Sequence, residues 1–236
     1  MKSRKPKILL LSLFLLLEAI LYCLILFVHT DWYVHRVICF SSVLIVTAFG
    51  WIFLKRKEFF FVAASLSLTC AADFLLEIVY PMQQVLALSF FFITQFVYAL
   101  YICSFSKRIE NLIHLSLRAL STVFAGVLAY LILKERLDSL SLLSVCYFWN
   151  LLLNIVFAFI HVKKHPLLAI GLSLFALCDF TLGLTLGIEE GYIELPKEVV
   201  DILFLPFDFV WLFYTPSQVL LCLEIYRGER KAEALD

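Results

Sequence analysis

Long apolar runs alternate with short polar breaks along the whole chain, and each break is a cluster of charges or contains Pro or Gly. A helix that crosses a bilayer needs about 20 mostly apolar residues. Eight runs approach or reach this length, at residues 8–28, 37–54, 59–79, 85–105, 112–133, 139–160, 167–187 and 206–226. The pattern predicts an all-α polytopic integral membrane protein, with eight transmembrane helices in one domain over residues 1–236.

The composition points to a bilayer as the solvent. Of the 236 residues, 63% are hydrophobic and 24 are Phe, with a mean hydropathy of +0.98. An ordinary soluble domain is about 45–50% apolar, and a soluble fold of this length has too little interior to hide the excess. The first apolar run lacks a small-residue cleavage site and is long for a signal peptide, so we interpret it as a span.

The polar breaks fall into two sets that differ in their content of Lys and Arg. The set that includes both termini holds 14 of these residues, and the other set holds 4. Cytoplasmic loops carry the excess of positive charge, so both termini are predicted to be cytoplasmic, and the cell membrane is the default location. Arg118 lies about two turns inside the fifth predicted span, from where its side chain is expected to snorkel to the interface.

One phrase occurs twice in the chain with an aspartate at the same place. "LSLTCAADFLL" in the third predicted span and "LSLFALCDFTL" in the seventh align Asp73 with Asp179. Each of these spans is followed by a span with a central glutamine, Gln95 or Gln218. We interpret the pattern as two four-span halves, about residues 1–110 and 111–236. Four spans return the chain to the same side, so the halves would be parallel.

Two acidic side chains are predicted to lie within the hydrocarbon. An aspartate at mid-helix costs about 2.5–3.5 kcal/mol on insertion scales, so an intramembrane carboxylate is a functional hypothesis by default. At 1.5 Å per residue, Asp73 and Asp179 lie roughly 9 and 12 Å from the outer ends of their helices. They would face one cavity if the two helices are neighbours. The alternative is a protonated, hydrogen-bonded and purely structural role. Glu77, one turn beyond Asp73, is expected to reach water.

Other polar residues within the spans have two interpretations each. Amides and hydroxyls one turn apart either join helices or contact a ligand, and the pairs are Gln95 with Tyr98, Asn150 with Asn154, and Tyr214 with Gln218. Arg36, which opens the second predicted span, is an interfacial anchor or a counter-ion for the aspartates or for a phosphate. Glycines share a face with Asp179, which favours close helix packing or leaves room for a ligand; they are Gly171, Gly183 and Gly187.

Several common sites are missing from the sequence. It contains no H-E-x-x-H, G-x-S-x-G or phosphate-loop motif. The seven cysteines form no C-x-x-C pair, and all five histidines are predicted to lie at span ends or in loops. We therefore expect neither a metal nor a cofactor. The net charge of zero gives no indication of a nucleic-acid partner.

Four short motifs resemble those of the YhhN-type membrane proteins, a family that includes the lysoplasmalogenases. They are "ADFLL" at 72–76, "QFVY" at 95–98, "CDFTL" at 178–182 and "FYTPSQ" at 213–218, together with a basic residue, Arg36, at the second span. The chain differs from the family's pattern at Ala72, Gln95, Cys178, Phe180 and Thr215.

The resemblance implies eight spans and hydrolysis of the vinyl-ether bond of a lysoplasmalogen-type lysophospholipid within the bilayer. It makes Asp73 and Asp179 the catalytic residues. The polar residues around them are the candidate substrate-binding residues: Arg36, Glu77, Gln95, Tyr98, Tyr214 and Gln218. Vinyl ethers hydrolyse by protonation at carbon, followed by capture of the oxocarbenium ion by water. One carboxyl that keeps its proton beside one that is ionised suits both steps.

Two other functions fit the same residues. A small proton- or cation-coupled transporter would use Asp73, Asp179 and Glu18, although no Pro or Gly breaks the aspartate helices as discontinuous transporter helices require. A lipid-binding protein without catalytic activity is the third hypothesis, and the differences at Gln95 and Phe180 allow it.

Overall fold

The computed structural model describes residues 5–28, 30–79, 81–134, 137–191, 193–204 and 208–233. These residues form nine α-helices, a 3₁₀ turn (Lys57–Phe59) and a π-helical segment (Phe74–Ile78). The α-helices are α1 (Lys5–Phe27), α2 (Trp32–Phe53), α3 (Phe60–Asp73), α4 (Gln84–Phe105), α5 (Arg108–Leu133), α6 (Ser139–Ile160), α7 (Pro166–Glu189), α8 (Lys197–Leu203) and α9 (Phe209–Glu233).

Among the described residues, eight helical stretches are long and apolar enough to cross a membrane. They comprise every α-helix except the short α8, with the 3₁₀ turn, α3 and the π-helical segment forming one continuous span. The predicted class, an all-α polytopic membrane protein, is confirmed. Pro206, where we predicted the last span to begin, lies outside the described residues.

Two helices begin earlier than the apolar pattern predicted. α2 starts at Trp32 rather than at residue 37, and α5 starts at Arg108 rather than at residue 112. Charged and polar residues at a membrane interface continue a helix without adding hydropathy, so an apolar window misses them. Arg36 therefore does not open its helix but lies in the second turn of α2, and Arg118 lies nearly three turns into α5.

The two ends of the bundle are identified by contacts between helix termini. At one end the Glu229 carboxylate accepts hydrogen bonds from the backbone N–H groups of Lys55, at 2.9 Å, and Arg56, at 2.6 Å. Arg227 donates to the backbone oxygen of Lys164 at this same end. We call it the basic end. At the opposite end, the start of α2 meets the π-helical segment and the start of α9.

α9 is the central helix of the bundle. It packs against α1, α2, α3 and α7, and three of its apolar side chains, Leu221, Cys222 and Ile225, are fully buried. Gly171 allows α7 to approach α9 closely, because a Cβ at this position would lie 3.3 Å from the backbone oxygen of Ser217. The predicted close packing at the glycine face is thus confirmed at Gly171. Around Gly183, in contrast, a Cβ would meet nothing within 4 Å.

The helix that carries Asp73 changes its geometry at that residue. The α-helix ends at Asp73 and continues as a π-helical segment to Ile78. Such segments are rare and frequently lie at functional sites. We had argued against discontinuous helices because Pro and Gly do not break the two aspartate helices near the acids. The structure shows that the aspartate helix departs from regular geometry without either residue.

α5 lies at the edge of the bundle and is attached by a buried arginine. Arg118 is 2% exposed and donates to the side-chain oxygens of both Asn150 and Asn154 of α6. Its guanidinium also contacts His114, which is 1% exposed. The expectations that Arg118 snorkels and that every histidine lies at a span end were wrong. Amide oxygens on α6 accept a hydrogen bond from each Nη atom of the guanidinium inside the bundle, so these two nitrogens do not have to reach water.

Candidate functional site

Asp73 is a buried carboxylate with a tyrosine as its donor. It is 4% exposed, and it accepts a hydrogen bond from the Tyr214 hydroxyl of α9. Sequence analysis had identified both residues as candidates but had not predicted the contact between them. The bond forms because Tyr214 lies in the second turn of α9, at the level where α3 ends. Because the Tyr214 hydroxyl is a neutral donor, it can hydrogen-bond the Asp73 carboxyl in its protonated or its ionised form, and no buried cation is needed.

Asp179 has an equivalent arrangement with a different helix. Its carboxylate accepts a hydrogen bond from the Tyr147 hydroxyl of α6, and the residue remains partly exposed. We had not singled out Tyr147. Its position in the sequence could have indicated a role, because Tyr147 precedes Asn150 by three residues and Asn154 by seven. All three side chains therefore share one face of the helix.

The two aspartates are connected through α9 and a set of aromatic rings. α9 packs against both α3 and α7. The Tyr214 ring lies 5.5 Å from that of Phe175, Phe175 lies 5.9 Å from Phe91, and Phe91 lies 5.9 Å from Tyr147. The two tyrosines that hold the acids are therefore joined by continuous ring contacts, with centroid spacings typical of aromatic pairs.

Arg36 pairs with Glu77 rather than with either aspartate. Its Nε donates to the Glu77 carboxylate at 3.0 Å, and its guanidinium lies 4.4 Å above the Trp32 ring. Its Nη2 is buried and has no hydrogen-bond partner among the described residues. Beside this pair, His35 lies 3.4 Å from Asp208. Glu77, which we expected to reach water, is held by the arginine.

Three candidate residues lie deeper in the bundle than the aspartates. Gln95 accepts a hydrogen bond from Asn154 at 3.0 Å and so joins α4 to α6. Tyr98 and Gln218 are 0% and 1% exposed, and neither side chain has a hydrogen-bond partner among the described residues. The structure thus places Tyr214 on an aspartate, and Gln95, Tyr98 and Gln218 in an interior polar region.

Open space lies beside Asp179 rather than beside Asp73. Gly183, one turn beyond Asp179, leaves its face of α7 open. A separate groove of about 590 Å³ faces outward between α3 and α4. It is lined by Phe40, Ser67, Cys70, Ala71, Phe74, Leu75, Leu86 and Phe90, and Asp73 is not among these residues.

The sequence also failed to reveal a buried pair at the basic end. His165 Nδ1 lies 2.6 Å from the Glu224 carboxylate, and Glu224 is 2% exposed. The Tyr101 hydroxyl lies 3.4 Å from both groups. The signal was a single charge, Glu224, within the apolar run "LLCLEIY". Glu18, for which we saw no partner, accepts a hydrogen bond from Ser42 at 2.7 Å.

The fold and the site define a helical, multi-pass membrane protein with two tyrosine-bound aspartates in one half of its bundle. Comparison with family models, curated proteins and solved structures finds no match for this chain. Within the described part of the chain, no group of three or more His, Cys, Asp or Glu side chains could hold a metal ion. The resemblance to the YhhN-type proteins stays a prediction from the motifs.

Proposed function

We propose that the protein is an intramembrane hydrolase that cleaves the vinyl-ether bond of lysoplasmalogen-type lysophospholipids. The observation that carries the proposal is the matched pair of carboxylates, Asp73 with Tyr214 and Asp179 with Tyr147, on two helices that both pack against α9. Two carboxyl groups in different environments are the usual equipment for acid–base cleavage through an oxocarbenium ion.

The two environments support different roles for the acids. Asp73 is almost fully buried, whereas Asp179 is partly exposed and has open space one turn away. Burial disfavours the charged form of a carboxyl group. We therefore assign the acid to Asp73 and the base to Asp179.

In the proposed reaction the Asp73 carboxyl delivers its proton to the vinyl carbon that is β to the ether oxygen. The ether carbon becomes an oxocarbenium ion, and Asp179 takes a proton from the water that adds to it. The resulting hemiacetal breaks its bond to the glycerol oxygen, which receives a proton while the hemiacetal hydroxyl loses one. The products are an aldehyde and the glycerophospho head group, with one water consumed and no net change in protons.

The surroundings of the pair suit a lysophospholipid. The unpartnered Nη2 of Arg36 would donate to the phosphate, because guanidinium groups bind phosphate by charge-assisted hydrogen bonds. The alkenyl chain would enter from the bilayer beside α7, where Phe180 and Leu182 are exposed. The excess of Lys and Arg at the basic end predicts that this end is cytoplasmic. The site would then lie in the outer half of a cell membrane.

A purified-protein assay tests the proposal. Wild type, Asp73→Asn and Asp179→Asn are incubated in detergent with 1-alkenyl-lysophospholipid, and aldehyde release is followed by coupled NADH oxidation. We expect turnover by wild type and a loss of at least about 10²-fold in each variant, the usual contribution of a positioned acid or base. Asp201→Asn, at an exposed position on α8, is the matched control.

A substrate analogue tests whether cleavage requires the vinyl ether. A saturated 1-alkyl ether of the same chain length has no double bond to protonate and should remain intact. Cleavage of the alkyl ether, or turnover that survives in both aspartate variants, would contradict the proposal. No turnover by wild type, with aspartate-dependent proton-coupled uptake into vesicles, would favour the transporter instead.

A further inference from the structure

A set of buried polar atoms in the bundle has no hydrogen-bond partner among the described residues. Buried polar groups are nearly always paired, so each exception requires an explanation. The parent residues are all 4% exposed or less and lie on four helices. The atoms are Glu18 Oε1, Ser65 Oγ, Thr69 Oγ1, Gln95 Nε2, Tyr98 Oη, Thr215 Oγ1, Ser217 Oγ, both side-chain atoms of Gln218, and Glu224 Oε2.

The hydroxyls in this set differ from the other hydroxyls of the helices. A Ser or Thr inside a helix usually donates to the carbonyl four residues earlier, as Ser41, Thr94 and Ser173 do. Ser65 and Thr69 make no such bond. In a water-free interior the carbonyl would be the usual acceptor. Hydroxyls that do not use it indicate another partner in the space between the helices.

The polar atoms form levels at matching depths on α3, α4 and α9. The Tyr214–Asp73 and Tyr101–Glu224 contacts fix the register of the three helices. At 1.5 Å per residue, Thr69, Gln95 and Gln218 all lie roughly 6 Å from the Asp73 level towards the basic end. By the same spacing, Ser65 and Tyr98 lie roughly 11 Å from the Asp73 level, and Glu224 lies roughly 15 Å from it.

We call this set of residues the polar column: Thr69, Gln95, Gln218, Ser65 and Tyr98. A titratable group lies at each end of the column. One end is Asp73 with its Tyr214. The other is the Glu224 carboxylate with His165, whose side chain is 17% exposed and so reaches the surface at the basic end. Glu224 Oε2 has no partner among the described residues and is available to the column.

We propose that ordered water fills the column and carries protons between His165–Glu224 at the basic end and Asp73. A buried water makes about three hydrogen bonds to otherwise unpaired polar groups. One water bridging two groups spans about 5.5 Å, twice a hydrogen bond of about 2.8 Å. Along the bundle axis the levels are separated by roughly 4–6 Å, which is about the span of one bridging water.

Charged groups at the two ends would set the proton's path. Around Asp73 these are Glu77 and Asp179, with Arg36 on Glu77 and the nearby His35 and Asp208. Along the column Glu18 is the one carboxylate from α1, held by Ser42. At the basic end the groups around His165 and Glu224 are Tyr101, Glu58 near that tyrosine, and His161 with Lys164. The pathway is independent of the proposed hydrolase, and a proton-coupled carrier would need it equally.

Radiolytic footprinting of the wild-type protein tests the water directly. Hydroxyl radicals formed from bound water modify the side chains next to it, even in a buried site. We expect Tyr98 to be modified several-fold faster than Phe14, a core aromatic that is equally inaccessible at 0% exposure. Equal, slow modification of the two rings would overturn the proposal, and no variant has to fold for this result.

A kinetic experiment tests the proton path. Protons are released by light from a caged acid, and the carboxyl C=O infrared band of Asp73, assigned by its loss in Asp73→Asn, is followed in time. The isosteric Thr69→Val and the variant Gln218→Leu should slow the band on the order of tenfold. Ser173→Ala, whose hydroxyl bonds its own helix, should keep the wild-type rate. A wild-type rate in both column variants would mean that protons reach Asp73 from the opposite end.

Discussion

At the residue scale, the two aspartates differ in how much water can replace their tyrosine donor. Asp73 is buried, so in Tyr214→Phe its carboxyl loses a hydrogen bond that direct contact with bulk solvent does not restore. We expect a loss of about 1–3 kcal/mol in the free energy of unfolding, the usual cost of an unpaired buried group. Asp179 is partly exposed and the proposed reaction brings water to its carboxyl, so Tyr147→Phe should cost less. Denaturant unfolding in micelles compares them, with exposed Tyr33→Phe as the control.

The order of these two losses is the informative result. If Tyr147→Phe destabilised the protein more than Tyr214→Phe, Asp179 rather than Asp73 would be the dry carboxylate. The assignment of acid and base given above would then be reversed.

The sequence identified the acids but not their partners. An aspartate in an apolar run is visible because its cost is local, and Tyr214 was visible through its motif. Tyr147 and His114 were missed because their contacts depend on how two helices rotate against each other. That rotation is set by packing across the bundle, as where α7 meets α9 at Gly171, and the apolar pattern does not contain it.

At the element scale, two helical glycines that look alike in the sequence should respond in opposite ways to Ala. At Gly228 of α9 a Cβ would lie 1.9 Å from the Phe59 ring, so Gly228→Ala must displace a buried aromatic. Overpacking of this kind costs typically about 1–3 kcal/mol. At Gly183 the Cβ enters open space, and Gly183→Ala should stabilise α7 by about 0.5–1 kcal/mol. Unfolding of both variants in one detergent measures the difference.

A loss of stability in Gly183→Ala as large as that in Gly228→Ala would contradict the described surroundings of α7.

The errors in the predicted helix bounds also belong to the element scale. Hydropathy locates the apolar middle of a span, and the structure adds polar turns at its ends, as at Trp32 and Arg108. The π-helical segment after Asp73 has no sequence signal comparable to Pro or Gly.

At the scale of the whole molecule, the count of eight spans and the charge bias lead to one arrangement in the membrane. Lys164 and Glu190 are exposed residues at opposite ends of α7. In intact cells, Glu190→Cys should react with a membrane-impermeant maleimide, and Lys164→Cys should react only after permeabilisation. The native chain, with its seven free cysteines, is the background control. The reverse pattern would contradict the cytoplasmic placement of the basic end.

The two halves of the molecule treat their aspartates differently. Aligning Gln95 with Gln218 places Phe91 of α4 where the other half has Tyr214. Phe91 has no hydroxyl, and Tyr147 of α6, whose ring lies 5.9 Å from it, supplies the donor to Asp179 instead. The parallel repeat stays a prediction. If it holds, the two halves supply the tyrosine donor from helices that do not correspond to each other.

The central claim, proton transfer from a carboxyl to carbon, is tested most directly by the mass of the aldehyde formed in D₂O. Protonation at the vinyl carbon places one solvent deuteron on the carbon next to the carbonyl. We therefore predict that wild-type protein releases an aldehyde one deuterium heavier than the product formed in H₂O. An aldehyde without this deuterium would show that the bond breaks by another route and would contradict the assigned role of the aspartate pair.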